Sequence, residues 1–183
     1  MRSEKIDYML NKYRELVSSD SRKARACIQR LDYKNNSYLL QCIAQTYLDE
    51  SRFEDGESIL RREINFRKWR MAEKYIINAF SIDSNNAEVL YTMGEIRKLN
   101  YQNDIAIYCF DKLIKLGVKK IAKQEYSRGK HFAKELINDA KFELYRLYFY
   151  ENPQLSAKYF REYKNGLAKG ISSIFTPLEK FLL

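Results

Sequence analysis

The side chains that most often carry chemistry are few in this sequence. His131 is the single histidine among 183 residues. No cysteine or second histidine stands at ligand spacing from it, so it predicts neither a metal site nor an acid–base pair. Cys27, Cys42 and Cys109 are odd in number and widely spaced, which fits neither a disulfide framework nor a zinc motif. No P-loop, GxSxG, HExxH or Gly-rich phosphate loop occurs. Acidic neighbours such as Asp49-Glu50 and Glu54-Asp55 read as solvating and capping groups at a helix end rather than as a catalytic dyad. The expectation is a chain with no catalytic residue, no metal and no cofactor.

Cations and aromatic rings are what the sequence does offer. Its 33 Lys and Arg against 24 Asp and Glu give a net charge of +9. That balance fits an acidic protein partner, nucleic acid or an anionic membrane. One zone, Arg61, Arg62, Phe66, Arg67, Lys68, Trp69 and Arg70, interleaves basic and aromatic residues, a combination that pairs phosphates and stacks the bases of single strands. A second zone, Lys112–Lys134, holds eight basic residues and one acidic residue, Glu125. Lys112, Lys115, Lys119 and Lys123 would share a helical face there if Gly117 did not break it. The candidate anion-binding residues are Arg61, Arg62, Arg67, Lys68, Arg70, Lys119, Lys120 and Lys123. The competing reading of both zones is a solvated polar face, with Phe66 and Trp69 packed inward. A third feature is the run Tyr145, Leu147, Tyr148, Phe149 and Tyr150, which leaves no polar side to a helix. It is either buried beneath the following helix and the apolar tail 171–183, or it is a self-association or partner surface.

These groups must be positioned by helices. Only 6 Gly and 2 Pro occur, too few for the turns of an all-β sandwich or a nucleotide-binding α/β fold. Apolar residues recur instead at i, i+3, i+4 and i+7. Ile6, Met9, Leu10, Tyr13, Leu16 and Val17 mark a first helix with Ser3 as its N-cap, and Ala24, Cys27, Ile28 and Leu31 a second. The third runs from about Ser37 to Asp49. Trp69, Ala72, Tyr75, Ile76 and Ala79 mark the next, closed by Asp83-Ser84-Asn85-Asn86. Helices over Ala87–Leu99 and about Ile105–Ile114 follow, with Gly117 as a C-terminal stop. The last pair covers Leu136–Tyr150 and Leu155–Leu167, broken at Asn152-Pro153, and Thr176-Pro177 could start a short final helix. No stretch approaches the 18 apolar residues of a membrane span. Met1–Leu16 is charged and lacks an apolar signal core, so a cytoplasmic, reducing setting is expected.

Counted from Ala87, the residues Leu90, Met93, Gly94, Ala106, Phe110 and Leu113 fall at positions 4, 7, 8, 20, 24 and 27. This segment resembles a tetratricopeptide repeat (TPR), a family built from a helix pair of about 34 residues. The family's pattern asks for large residues at 4 and 7, small ones at 8 and 20, an aromatic at 24 and a small one at 27; Leu113 is larger than the pattern prefers. Counted from Ser37, Leu40, Ile43, Ala44 and Tyr47 match as well, and Trp69, Ala72, Ile76 and Ala79 supply the second helix. That unit is longer than one repeat by about 16 residues. An insertion near 51–67 accounts for the excess. The rival phasing places Phe53, Gly56 and Leu60 at positions 17, 20 and 24, and leaves Trp69–Ile82 as an extra helix.

The resemblance implies an all-α fold of antiparallel helix pairs stacked as a short TPR-like right-handed superhelix. The domain organisation is a single domain over 1–183. A degenerate repeat covers 1–36, a repeat with an insertion 37–86, the clearest repeat 87–118, and a divergent C-terminal cap 119–183. It also implies a concave groove lined by first helices, here Tyr38, Gln41, Gln45, Leu48, Asp49, Glu88, Tyr91, Glu95, Lys98 and Leu99. Tyrosines and amides on one face suit a peptide backbone. Gln41, Gln45, Tyr91 and Glu95 stand where the carboxylate-clamping TPR subclass carries Lys and Asn, which disfavours that subclass. The expected function is a non-catalytic protein-interaction module, an adaptor or scaffold, whose partner has an acidic contact surface. Two alternatives are an immunity- or antitoxin-type inhibitor of a cognate enzyme, by fold analogy alone, and RNA or DNA binding through 61–70 and 112–134.

Overall fold

The computed structural model describes residues 4–53 and 66–174, except the side chains of Arg52 and Phe53. Among these are eight α-helices and no strand: α1 (Glu4–Leu16), α2 (Ser21–Gln29), α3 (Ser37–Phe53), α4 (Phe66–Ile82), α5 (Ala87–Leu99), α6 (Asn103–Ile121), α7 (Lys130–Tyr148) and α8 (Pro153–Ala168). They form two compact units, Met1–Ser84 and Asn85–Leu183. Residues 54–65 and 175–183 lie outside the described residues. So do most of the expected insertion, Gly56 and Leu60 of the rival phasing, the Ser3 cap and the Thr176-Pro177 helix start.

In the first unit, α1 packs on α2, α2 on α3 and α3 on α4. The apolar stripes read from spacing are the ones buried: Leu10 and Tyr13, Ala24 and Ile28, Leu40, Ile43, Ala44 and Leu48, then Ala72, Ile76 and Ala79. Capping sets the entries. The Asp20 carboxylate accepts from the Lys23 N–H at 2.9 Å, and the Asn36 side chain accepts from the Leu39 N–H at 3.0 Å, each satisfying an orphan donor of the first turn. The helix expected to end near Asp49 continues to Phe53. A polar cluster holds that extra turn. Arg25 pairs with Glu50 at 2.7 Å and donates to Thr46 Oγ1 at 3.3 Å, while Lys68 pairs with the other Glu50 oxygen. The Arg25 guanidinium also lies 3.9 Å from the Tyr47 ring centre, and Tyr47 stacks on Tyr75 at 5.8 Å. One carboxylate near the end of α3 thus ties α2 and α4 to it.

In the second unit, α5 packs on α6, α6 on α7 and α7 on α8. Leu90, Met93, Ala106, Phe110 and Leu113 are all buried, and Gly94 meets the Phe110 ring face. The Asn86 side chain caps α5, accepting from the Glu88 and Val89 N–H groups at 3.1 Å. Gln124 staples the loop after α6 to the same helix start. Its Nε2 donates to the Asn85 carbonyl at 2.7 Å and its Oε1 accepts from the Ala87 N–H at 3.0 Å. Gly117 breaks α6 where the sequence placed a stop, with non-helical dihedrals inside the helix. Its φ of 73° kinks the helix, which resumes to Ile121, and burial of Ile121 holds the resumed turn. Helix α7 begins at Lys130 rather than near Leu136, so the end of the basic zone is helical.

Candidate functional site

The groove positions carried over from the TPR pattern are placed unevenly. In the first unit Tyr38 and Gln41 are buried, whereas Gln45 and Asp49 are half-buried and bonded to each other, Nε2 to Oδ1 at 2.9 Å. In the second unit Tyr91 is buried edge-on against Phe110 at 5.5 Å. Glu88 is half-buried. Glu95 pairs with Lys98 at 2.5 Å, and Lys98 also pairs with Glu143 of α7. Burial leaves Tyr38, Gln41 and Tyr91 little surface to offer a ligand. Their types fit the groove pattern, and their spacing fits the core stripe equally well.

Arg61 and Arg62 lie outside the described residues. Arg67 and Arg70 are exposed, and Lys68 is committed to Glu50. Trp69 is half-buried, and its buried indole N–H has no acceptor among the described residues. Phe66, expected to pack inward, is 70% exposed. Lys119, Lys120 and Lys123 are exposed beyond the Gly117 kink. The kink at Gly117 separates them from Lys112 and Lys115, so the four lysines do not share one straight helical face, as the glycine's position predicts.

The aromatic run of α7 is the group that the fold assembles most completely. Tyr148 turns inward and stacks on Tyr159 of α8 at 6.0 Å; the Tyr159 hydroxyl donates to Asp111 of α6 at 3.0 Å. Burial and the Asp111 carboxylate both hold the Tyr159 phenol well above its usual range, so it stays a donor. Tyr145, Phe149, Tyr150 and Phe160 form a second cluster. Tyr145 contacts Phe160 at 4.7 Å and meets Phe149 edge-on at 5.9 Å, and Phe149 meets Tyr150 edge-on at 5.0 Å. This cluster is open to solvent: Phe149 is 49%, Tyr150 90% and Phe160 38% exposed. Helix α8 covers only part of the run, and most of the apolar tail expected to help cover it lies outside the described residues.

Lys164, Arg161 and Arg146 lie near these rings along the two helices, and the exposed Glu151 follows Tyr150. Lys164 lies 5.5 Å from the Phe160 ring centre, one turn along α8. Arg161, between them, and Arg146, one turn from Tyr150, are exposed. Arg146 is anchored at 3.5 Å from Glu143, which is buried beneath it and shared with Lys98. Burial, reinforced by the nearby Glu95 charge, raises the Glu143 carboxyl above its ordinary value despite both cations. Glu143 thus holds the arginine in place from below while the guanidinium stays accessible. The sequence signalled this surface through its all-round aromatic run. Phe160, Arg161 and Lys164, which complete it from α8, carried no separate signal.

His131 is exposed and lies 3.2 Å from Glu135, one turn along α7. Among the described residues no group of three or more His, Cys, Asp or Glu side chains could hold a metal ion, and no helix is long and apolar enough to cross a membrane. No protein-family model matches the chain. No curated protein and no solved structure matches it either.

Proposed function

We propose that this chain is a non-catalytic, cytoplasmic protein-interaction module of TPR-like helix pairs, and that it binds a partner with an acidic contact surface through the aromatic and basic face of α7 and α8. The observation that carries this reading is the cluster of half-buried Tyr145 with exposed Phe149, Tyr150 and Phe160, with Lys164 near the Phe160 ring and exposed Arg146 and Arg161 on the same two helices. Aromatic residues and arginine are the side chains that dominate binding energy at protein interfaces. Contiguous exposed rings cost solubility and stabilise little when solvated, so a partner that covers them explains their position. The TPR-like reading is supported by the packing of α5 on α6, where Gly94 admits Phe110 at the small and aromatic positions of the repeat. In this reading the concave groove yields to the α7–α8 face, because three of the groove residues are buried.

The test is a pull-down from native lysate at low and high salt, with protein and nucleic acid both analysed. The wild-type chain is compared with Phe149→Ser/Tyr150→Ser and with Lys119→Glu/Lys120→Glu. The expected result is one stoichiometric protein that survives high salt and is lost only with the aromatic variant. Nucleic acid retained at low salt and lost only with the lysine variant overturns the reading in favour of the basic zone.

A further inference from the structure

A cavity of about 330 Å³ opens in the second unit between α7 and α8. Lys134, Ile137, Asn138 and Lys141 face it from α7 at i, i+3, i+4 and i+7. Glu162, Asn165, Gly166 and Lys169 repeat that interval from α8 and its C-cap, and Val118 and Ile171 add apolar wall. One side of the cavity is held by tight packing. Asn138 is buried and donates from Nδ2 to the Tyr163 carbonyl at 3.3 Å. A Cβ at Gly166 would fall 2.3 Å from the Asn138 Oδ1, so this approach of the two helices needs a glycine.

Among the described residues the charges around the cavity do not balance. Three ammonium groups face it against one carboxylate, and that carboxylate, Glu162, pairs with Lys141 at 3.1 Å. Lys134 and Lys169 have no acidic partner among the described residues. Two cations with no acidic partner among those residues, at the rim of a partly apolar cavity, focus a positive field into it. A ligand that neutralises both needs nearly two negative charges, which a phosphate monoester carries at neutral pH and a monocarboxylate does not. The apolar walls leave room for an organic part beside the phosphate, and the cavity is of ligand size.

The geometry points to a binding site for a small phosphate monoester on an apolar or aromatic body. Lys134 and Lys169 pair with the phosphate oxygens, Asn165 donates to them, and Ile137, Val118 and Ile171 take the organic part. The site is separate from the aromatic face and does not depend on it.

The test titrates phenyl phosphate, and separately inorganic phosphate, into the labelled full chain at constant ionic strength, following backbone amide shifts. The expected shifts concentrate at residues 134–141 and 162–171, with phenyl phosphate binding more tightly than inorganic phosphate. Lys134→Gln/Lys169→Gln weakens binding by about tenfold or more, the order expected for losing two charge-assisted contacts. Lys5→Gln/Lys34→Gln removes the same charge from exposed lysines of the first unit and leaves affinity unchanged. Asn165→Asp, which puts a like charge at the rim, is the second variant and also weakens binding. Equal losses in both lysine variants, shifts at every exposed lysine, inorganic phosphate binding as well as the ester, or no binding would each overturn the assignment.

Discussion

Gly94 on α5 lies against the ring face of Phe110 on α6, so closely that a Cβ at position 94 would fall 2.7 Å from the phenyl Cζ. Phe110 is fully buried and has no free side to retreat to. Gly94→Ala is therefore destabilising, although alanine is the better helix former. The clash of an overpacked core sets the expected loss at about 1–3 kcal/mol. Urea unfolding of Gly94→Ala, Phe110→Leu and the double variant checks this. The double variant loses less than the sum of the singles if the clash is the cause. Additive losses would mean that the two residues do not meet.

Glu50 and Glu143 give opposite responses to acid. Burial pushes the Glu50 carboxyl up, but the hydrogen bonds and charges of Lys68 and Arg25 outweigh it and hold the group below its ordinary 4.5. Its contribution to stability is thus present above 4.5 and is lost as pH falls through the depressed folded value. Glu143 is raised above 4.5 by burial and by Glu95. The native state binds that proton more tightly than the unfolded chain, so this group returns stability as pH falls from its folded value towards 4.5. Stability is measured against pH for the wild type, Glu50→Gln and Glu143→Gln. The advantage of the wild type over Glu50→Gln shrinks in acid, and its advantage over Glu143→Gln grows. Parallel profiles for the two variants would contradict both assignments.

The legibility of the chain follows the same physics. Helical stripes were readable because one face of each helix must be buried, and Leu40, Ile43, Ala72, Ile76, Leu90 and Leu113 lie where their spacing put them. Helix ends were less readable. The run of α3 to Phe53 depends on Glu50 meeting Arg25 and Lys68, residues 25 and 18 positions away in sequence. Gly117 signals a break in α6, but the turn of helix beyond it rests on burial of Ile121, a tertiary effect. The groove residues show the limit of pattern transfer. Tyr38 and Tyr91 match a repeat position by number, yet whether a tyrosine there faces solvent depends on its neighbours. The aromatic run of α7 was visible, but its division into an inward Tyr148 and an outward Phe149–Tyr150 required α8.

Cys27, Cys42 and Cys109 are buried free thiols. Burial pushes the Cys109 thiol up to about 11, against the pull of Arg97 and Lys112. The thiolate is the reactive form, so Cys109 is inert in the native chain at pH 8. A disulfide-exchange reagent is expected to label no thiol rapidly in the folded protein and all three in denaturant, with the slow native reaction following local opening. A fast-reacting thiol in the native state would show that one of these sites is open.

Phe149 and Tyr150 should separate stability from interaction in a way that Tyr163 does not. Tyr163 is 1% exposed and packs on Phe142 at 4.9 Å. Removal of its ring is expected to cost about 3–5 kcal/mol, as for other large buried aromatics. Tyr150 is almost fully solvated, and its edge contact with Phe149 buries little area. Tyr150→Ser is therefore expected to change stability by no more than about 0.5 kcal/mol, and the Phe149→Ser/Tyr150→Ser pair by little more. The same pair should raise the solubility limit of the isolated chain, because it removes the exposed rings through which copies would associate. Urea unfolding and light scattering at increasing concentration read the two effects independently. A large stability loss in the Phe149/Tyr150 pair would mean that these rings belong to the core, and the α7–α8 face would then lose its claim as an interaction surface.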